Sequence, residues 1–149
     1  MQRGFTLIEV LVVIAIIGIL SALAVPTLGS TIAQHELEAT ARNLVADIRS
    51  LQQTAINAGT SHVYKIRFIN DGTPHYNFTD GPNTIRMVYL PDTVELMGYP
   101  PDIQFRVNGG VQSGEYTIEL KSKVTSQSLY VILSPTGRVR LTNNSNTPY

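Results

Sequence analysis

Hydrophobic and polar positions are sharply segregated along this chain. Residues Phe5 to Val25 (FTLIEVLVVIAIIGILSALAV) form one apolar run with a single charge, Glu9, and Val10 to Val25 carry none. As a helix, a run of this length spans about 30 Å, the thickness of a bilayer's hydrocarbon core. An ordinary buried helix is the poorer reading, because so small a domain cannot enclose a helix that is apolar on every side. A secretory signal peptide competes more closely, with Ser21-Ala22-Leu23-Ala24 as its cleavage site. Two features oppose it: the basic start is only MQRG, and an acid sits near the head of the run. A carboxylate deep in a bilayer costs about 2.5–3.5 kcal/mol on insertion scales, so it needs a partner.

Beyond Pro26 the pattern turns amphipathic. Pro26 lacks a backbone N–H and is expected to kink or loosen the helix, with Gly29 weakening the same region. Leu37, Ala41, Leu44, Ile48, Leu51 and Ala55 then recur at spacings of three and four, one apolar stripe on a helix. Glu38 and Arg42 form an acid-first i,i+4 pair, and Ala58-Gly59 makes a stop. The helix therefore runs from about Thr6 to Asn57. Unbroken it measures roughly 78 Å, too long for a domain of this size unless its apolar half projects for membrane or partner.

The rest reads as strands. His62–Asn70 puts Tyr64, Ile66 and Phe68 on one face and Lys65 and Arg67 on the other. Further runs lie at Thr84–Leu90, Val94–Tyr99, Ile103–Val107, Tyr116–Leu120, Ser128–Leu133 and Arg138–Thr142, with turns at Asn108-Gly109-Gly110 and Ser134-Pro135-Thr136-Gly137. Six or seven short strands after one helix indicate an α+β fold, a long N-terminal helix packed on an antiparallel sheet. Asp71–Asn83, with Gly72, Pro74, Gly81 and Pro82, is expected to be an irregular exposed loop. The polar tail Asn143–Tyr149 is expected to be mobile. Tyr64, Tyr89 and Tyr130 fall within strand runs and read as core or cross-strand packing, and Tyr99 beside Pro100-Pro101 as a loop anchor.

Composition narrows the function. The chain has 149 residues, 11 Lys+Arg, 11 Asp+Glu and no Cys. That length allows one domain with its own core. Zero net charge argues against bulk nucleic-acid binding. The lack of Cys excludes disulfides, thiol chemistry and Cys-ligated metal. His35, His62 and His75 are too scattered for a metal-binding pair, so no metal or other cofactor is expected. The carboxylate groupings Glu36/Glu38 and Asp71/Asp80 read more simply as solvated surface than as an acid/base pair. Gly109-Gly110 and Gly114 make no phosphate loop, since no helix follows them. No catalytic residue is assigned.

Arg3-Gly4-Phe5-Thr6-Leu7-Ile8-Glu9, followed by the long apolar helix with Pro26 at its far end, resembles the N-terminus of type IV prepilins and pseudopilins. The resemblance implies a leader of residues 1–4, cleavage between Gly4 and Phe5 by a prepilin peptidase, and N-methylation of Phe5. It implies a hydrophobic membrane and filament-core helix over residues 5–29 and a globular pilin head over 30–149. Glu9 and Pro26 are then assembly residues, the partner of Glu9 being the N-terminal amine of a neighbouring subunit. The implied partners are other pilin or pseudopilin subunits, the peptidase, an inner-membrane assembly platform, and membrane lipid before assembly. The implied location is the inner membrane, single-pass with the head outside the cytoplasm, and then a periplasmic or cell-surface filament.

The head extends the likeness. ARNLVADIRSLQQTAINAG (Ala41–Gly59) and SPTGRVRL (Ser134–Leu141) are similar to the minor pseudopilin H and FimT group. That implies a minor subunit, in few copies, which initiates or tips a type IV pilus or type II secretion pseudopilus. A major pilin is the alternative. Several FimT-type proteins carry a head disulfide, which a chain without Cys cannot form. In that group a Gly-Arg-x-Arg element is associated with DNA uptake in transformation, and Gly137-Arg138-Val139-Arg140 matches it. Lys121, Lys123, Arg138 and Arg140 are the only charges after Glu119. Two guanidinium forks on one strand face suit phosphates. The plainer reading is the wet, charge-guarded face of an edge strand.

Overall fold

The computed structural model describes residues 5–59 and 62–144, leaving the side chains of residues 22–28 outside that description. Helix α1 spans Leu7–Ala58. The chain divides between Ile32 and Ala33 into two compact units. In the first, the large apolar side chains from Leu7 to Leu20 are exposed, Leu7 at 80% and Leu20 at 61%. Among the described residues no helix is long and apolar enough to cross a membrane. The span expected of residues 5–29 takes in residues 22–28, whose side chains lie outside the description. The helix assignment passes through Pro26 without a break.

In the second unit the expected stripe is the buried one. Leu37, Ala41, Leu44, Ile48, Leu51 and Ala55 are at most 6% exposed, and Ala33 extends the stripe by a turn. Gly59 follows the helix at φ +68°, the left-handed value a helix stop favours. Among the described residues eight strands complete this unit, the shortest the two-residue β5: β1 Tyr64–Ile69, β2 His75–Asp80, β3 Asn83–Tyr89, β4 Val94–Met97, β5 Ile103–Gln104, β6 Tyr116–Ser122, β7 Ser128–Leu133 and β8 Val139–Thr142. They form two antiparallel four-stranded sheets rather than one, in the orders β3-β2-β1-β5 and β4-β6-β7-β8. Their inner faces meet the stripe in one core holding Ile66, Phe78, Ile103, Ile118, Leu120 and Val131. Each such side chain contributes about 1.5–3 kcal/mol by leaving water.

The segment expected to be an exposed loop is instead β2, an inner strand with five of its six residues buried. Its Gly and Pro residues bracket the strand instead of dissolving it. Asp80 pairs with Asn83, so Gly81-Pro82 is a two-residue hairpin turn, and Gly81 takes the positive φ, +56°, that such a turn needs at its first position. Tyr76 and Phe78 face the helix, packed edge to face at 5.6 Å. Asp47 of α1 accepts from the Tyr76 hydroxyl at 2.7 Å and pairs with Arg86 of β3. Burial, with the Asp47 carboxylate alongside, pushes the Tyr76 phenol above its ordinary range. Of the other tyrosines, Tyr64 is in the core, Tyr130 reaches Glu119, and Tyr99 packs against the core from its loop. Tyr89 is 60% exposed, its ring tilted against that of His75 at 5.2 Å.

Candidate functional site

The start of α1 is a capping box. Thr6 stands before the first helical residue with Glu9 three positions on. The Glu9 amide donates to Thr6 Oγ1 at 3.3 Å, and Glu9 Oε2 accepts from the Thr6 amide and hydroxyl, each at 3.1 Å. Glu9 is the acidic residue of the first turn, where the helix dipole favours negative charge. The carboxylate expected to need another subunit's amine thus has partners inside its own chain. The signal was legible, since Thr6-Leu7-Ile8-Glu9 has the spacing of a Thr cap followed by Glu. Phe5 is 87% exposed. Gly4, and with it the bond to Phe5, lies outside the described residues, as does the Pro26 side chain.

The residues of the C-terminal basic element have separate environments. Gly137 sits in the β7–β8 turn at φ +88°, and a Cβ there would lie 2.1 Å from the Gly109 carbonyl oxygen. Gln52 of α1 donates through Nε2 to the carbonyls of Gly109 at 3.0 Å and Gly137 at 2.6 Å. The Val111 amide donates to the Pro135 carbonyl at 3.1 Å, closing the same junction. Gly137 therefore serves a close approach of two turns against the helix. Sequence reasoning missed Gln52, a polar residue on the flank of an apolar stripe.

Arg138 is exposed and precedes β8, held opposite Ser134 by paired hydrogen bonds of 3.0 Å. Arg140 is half-buried, directly opposite Ile132. Ile132 is 1% exposed although it points to the outer face, so the aliphatic stem of Arg140 covers apolar surface. Lys121 shares that face, opposite Glu95 and Ser128, whereas Lys123 lies in the turn beyond. Between Lys121 and Arg140 comes Glu119, which accepts from Ser128 Oγ at 2.7 Å. The lysines and arginines thus occupy opposite ends of the sheet with an acid between them.

The carboxylates weighed for catalysis are dispersed. Thr93 donates to Glu36, while Glu38 lies 3.7 Å from Arg42 on another flank of the helix. Asp80 bonds His62 Nδ1 at 2.6 Å, and that bond holds its carboxyl below the usual carboxylate range. Asp71 is 3.6 Å from His75 in a different turn. Asp102, paired with Arg67 at 2.8 Å, is likewise held low. A cavity lined by Asp47, Leu51, Phe78, Ile85 and Arg86 has a volume of 150 Å³, below the roughly 300–1,000 Å³ of small-molecule sites.

Residues 1–25 match the model of the prokaryotic N-terminal methylation motif. Three sequences of the type IV major fimbrial protein FimA of Dichelobacter nodosus are each 51% identical to this chain over 37 residues, 25% of this chain and 23–24% of the relative. The chain thus spans about a quarter of the length of the curated relatives it matches. No solved structure matches the chain. The motif and the similarity together support the type IV pilin family through the N-terminal segment.

Proposed function

We propose that this chain is a structural subunit of a type IV pilus-like filament, processed between Gly4 and Phe5, methylated at Phe5 and held in a membrane by its apolar helix before assembly. The observation that carries the reading is the motif over residues 1–25 joined to a helix whose apolar side chains stand exposed from Leu7 to Leu20. Apolar surface on that scale requires lipid or other subunits to cover it. Its partners are then other pilin-like subunits, the prepilin peptidase and the assembly platform. Within this reading, the head's likeness to the pseudopilin H and FimT group supports a minor subunit that primes or tips the filament. The test is recovery of the chain in sheared filaments. Absence of the wild-type chain from sheared filaments would overturn the proposal; Glu9→Ala is expected to leave the chain in the membrane fraction, and undiminished recovery of that variant would remove the assembly role of Glu9. Counting copies per filament separates a minor subunit from a major one.

A second reading, contact with DNA at Arg138 and Arg140 assisted by Lys121 and Lys123, keeps one supporting observation: Arg138 is exposed at the hairpin end. It predicts salt-sensitive binding of short duplex DNA between about 50 and 200 mM salt, lost in Arg138→Glu/Arg140→Glu. Binding equal in wild type and double variant would end it.

A further inference from the structure

The two margins of the head's second sheet present different outermost charges. On one side Arg42 and Arg49 of α1 line an open groove of 350 Å³ floored by Val45, Ala46 and Leu141 of β8. Seven residues apart on a helix, the two guanidiniums lie on one flank about 10.5 Å apart along the axis. Arg42 is 74% exposed and has only the loose contact with Glu38. Arg49 is exposed, and among the described residues no carboxylate reaches it within ion-pair distance. On the other side, exposed Asp92 and Glu95 stand outermost at the β4 edge, with Glu36 held beside them through Thr93, while Lys121 and Lys123 lie one strand further in, Lys121 opposite Glu95. β4 and β8 are the two outer strands of the same sheet, about 14 Å apart at ordinary strand spacing. Asp92 and Glu95, three residues apart, span at most about 10 Å, close to the arginine separation.

We infer that the Arg42/Arg49 groove receives the acidic β4 edge, Asp92 and Glu95, of a second copy of this chain. The contact rests on the filament reading in the form where copies of this chain neighbour one another, which a lone tip subunit would not do, and names the neighbour within it. It is heterologous: the donor patch and the acceptor patch lie on different sides of each head. Such a contact does not close on itself in a pair but propagates, as a filament requires. Complementary charge fixes the register of the meeting heads and disfavours the reverse orientation, in which arginines would face arginines. Val45, Ala46 and Leu141 supply the apolar floor between the charged rims.

The absence of cysteine allows a direct test in the full chain, assembled in cells and recovered in sheared filaments. Arg49→Cys and Asp92→Cys are placed in one chain and treated with a short thiol-to-thiol crosslinker. The expected product is a ladder of dimers, trimers and higher species, with monomer alone from either single variant. A dimer from a single variant would mean a self-facing contact and would overturn the inference. In parallel, Arg42→Glu/Arg49→Glu should cut filament recovery on the order of tenfold, since like charges then face each other. Adding Asp92→Lys/Glu95→Lys to the same chain should restore it, which a folding defect would not allow. No ladder and no rescue in filaments that hold normal amounts of the chain, or filaments holding one copy each, would refute the contact while leaving the filament reading intact. Filaments lacking the wild-type chain altogether would remove that reading first, and this contact with it.

Discussion

Replacing Gly137 by alanine should destabilise the head through three separable effects. At φ +88° an alanine pays the left-handed cost of about 1–2 kcal/mol that glycine escapes. Its Cβ would stand 2.1 Å from the Gly109 oxygen, over 1 Å inside ordinary contact, so one turn must move away from the other. That movement stretches the two bonds from Gln52 Nε2, at 3.0 and 2.6 Å, each worth about 0.5–1.5 kcal/mol. The total is roughly 2–4 kcal/mol. For a head of this size that lowers Tm by about 10–20 °C. The assay is thermal unfolding of the detergent-solubilised chain followed by far-UV circular dichroism, beside Arg138→Ala. The exposed Arg138 side chain should move Tm by only about a degree. A Gly137→Ala midpoint within about 2 °C of wild type would refute the reasoning and return the glycine to a role in binding.

Glu9→Gln separates the two duties of that side chain. Glutamine serves in a capping box but carries no charge, so it should keep the helix start seen by circular dichroism while reducing filament recovery as far as Glu9→Ala does; full recovery would show that the cap, not the charge, matters. Gln52→Ala should cost about 1–3 kcal/mol by leaving the Gly109 and Gly137 carbonyls without their donor, and an unchanged Tm would contradict that. Leu44→Ala, at a site 1% exposed, should cost about 2–5 kcal/mol in a denaturant titration, whereas Arg42→Ala should be near neutral. Asp80 and Asp102 are both held below their ordinary values, so the stability they confer is present above the unfolded carboxylate range and is lost as pH falls through their lowered values. Asp80→Asn/Asp102→Asn should flatten the acid limb of a stability–pH curve, and an unaltered limb would place the acid sensitivity elsewhere.

The helix was legible because its buried positions recur at three and four, a period no strand shares, and every stripe residue from Leu37 to Ala55 is buried. The alternation in Tyr64–Ile69 and Tyr116–Ser122 was legible for the matching reason. His75–Asp80 was not. Tyr76 and Phe78 do alternate with His75, Asn77 and Thr79, but the flanking Pro74, Gly81 and Pro82 read as loop signals when they were the strand's boundaries. The division into two sheets lies in pairings far apart in sequence, such as β4 with β6, which no local pattern announces. At the candidate sites, the motif letters pointed to Glu9 and to Gly137; the Thr6-to-Glu9 spacing also held the cap, whereas no letters announced what Gly137 touches. Glu9's local partners were hidden behind a resemblance, and Gly137's behind a charge pattern.

The capping box lies wholly within Thr6 and Glu9. Every group in it belongs to those two residues, so on the proposed reading a chain cut after Gly4 keeps the bonds of its helix start. The cut does place a new ammonium on Phe5, beside the positive end of the helix dipole, where a cation is disfavoured. Glu9, the acidic residue of that turn, offsets this locally. On the proposed reading, a mature subunit then enters assembly with its terminal charge already balanced, and docking becomes an exchange of partners between neighbours rather than the rescue of an isolated charge.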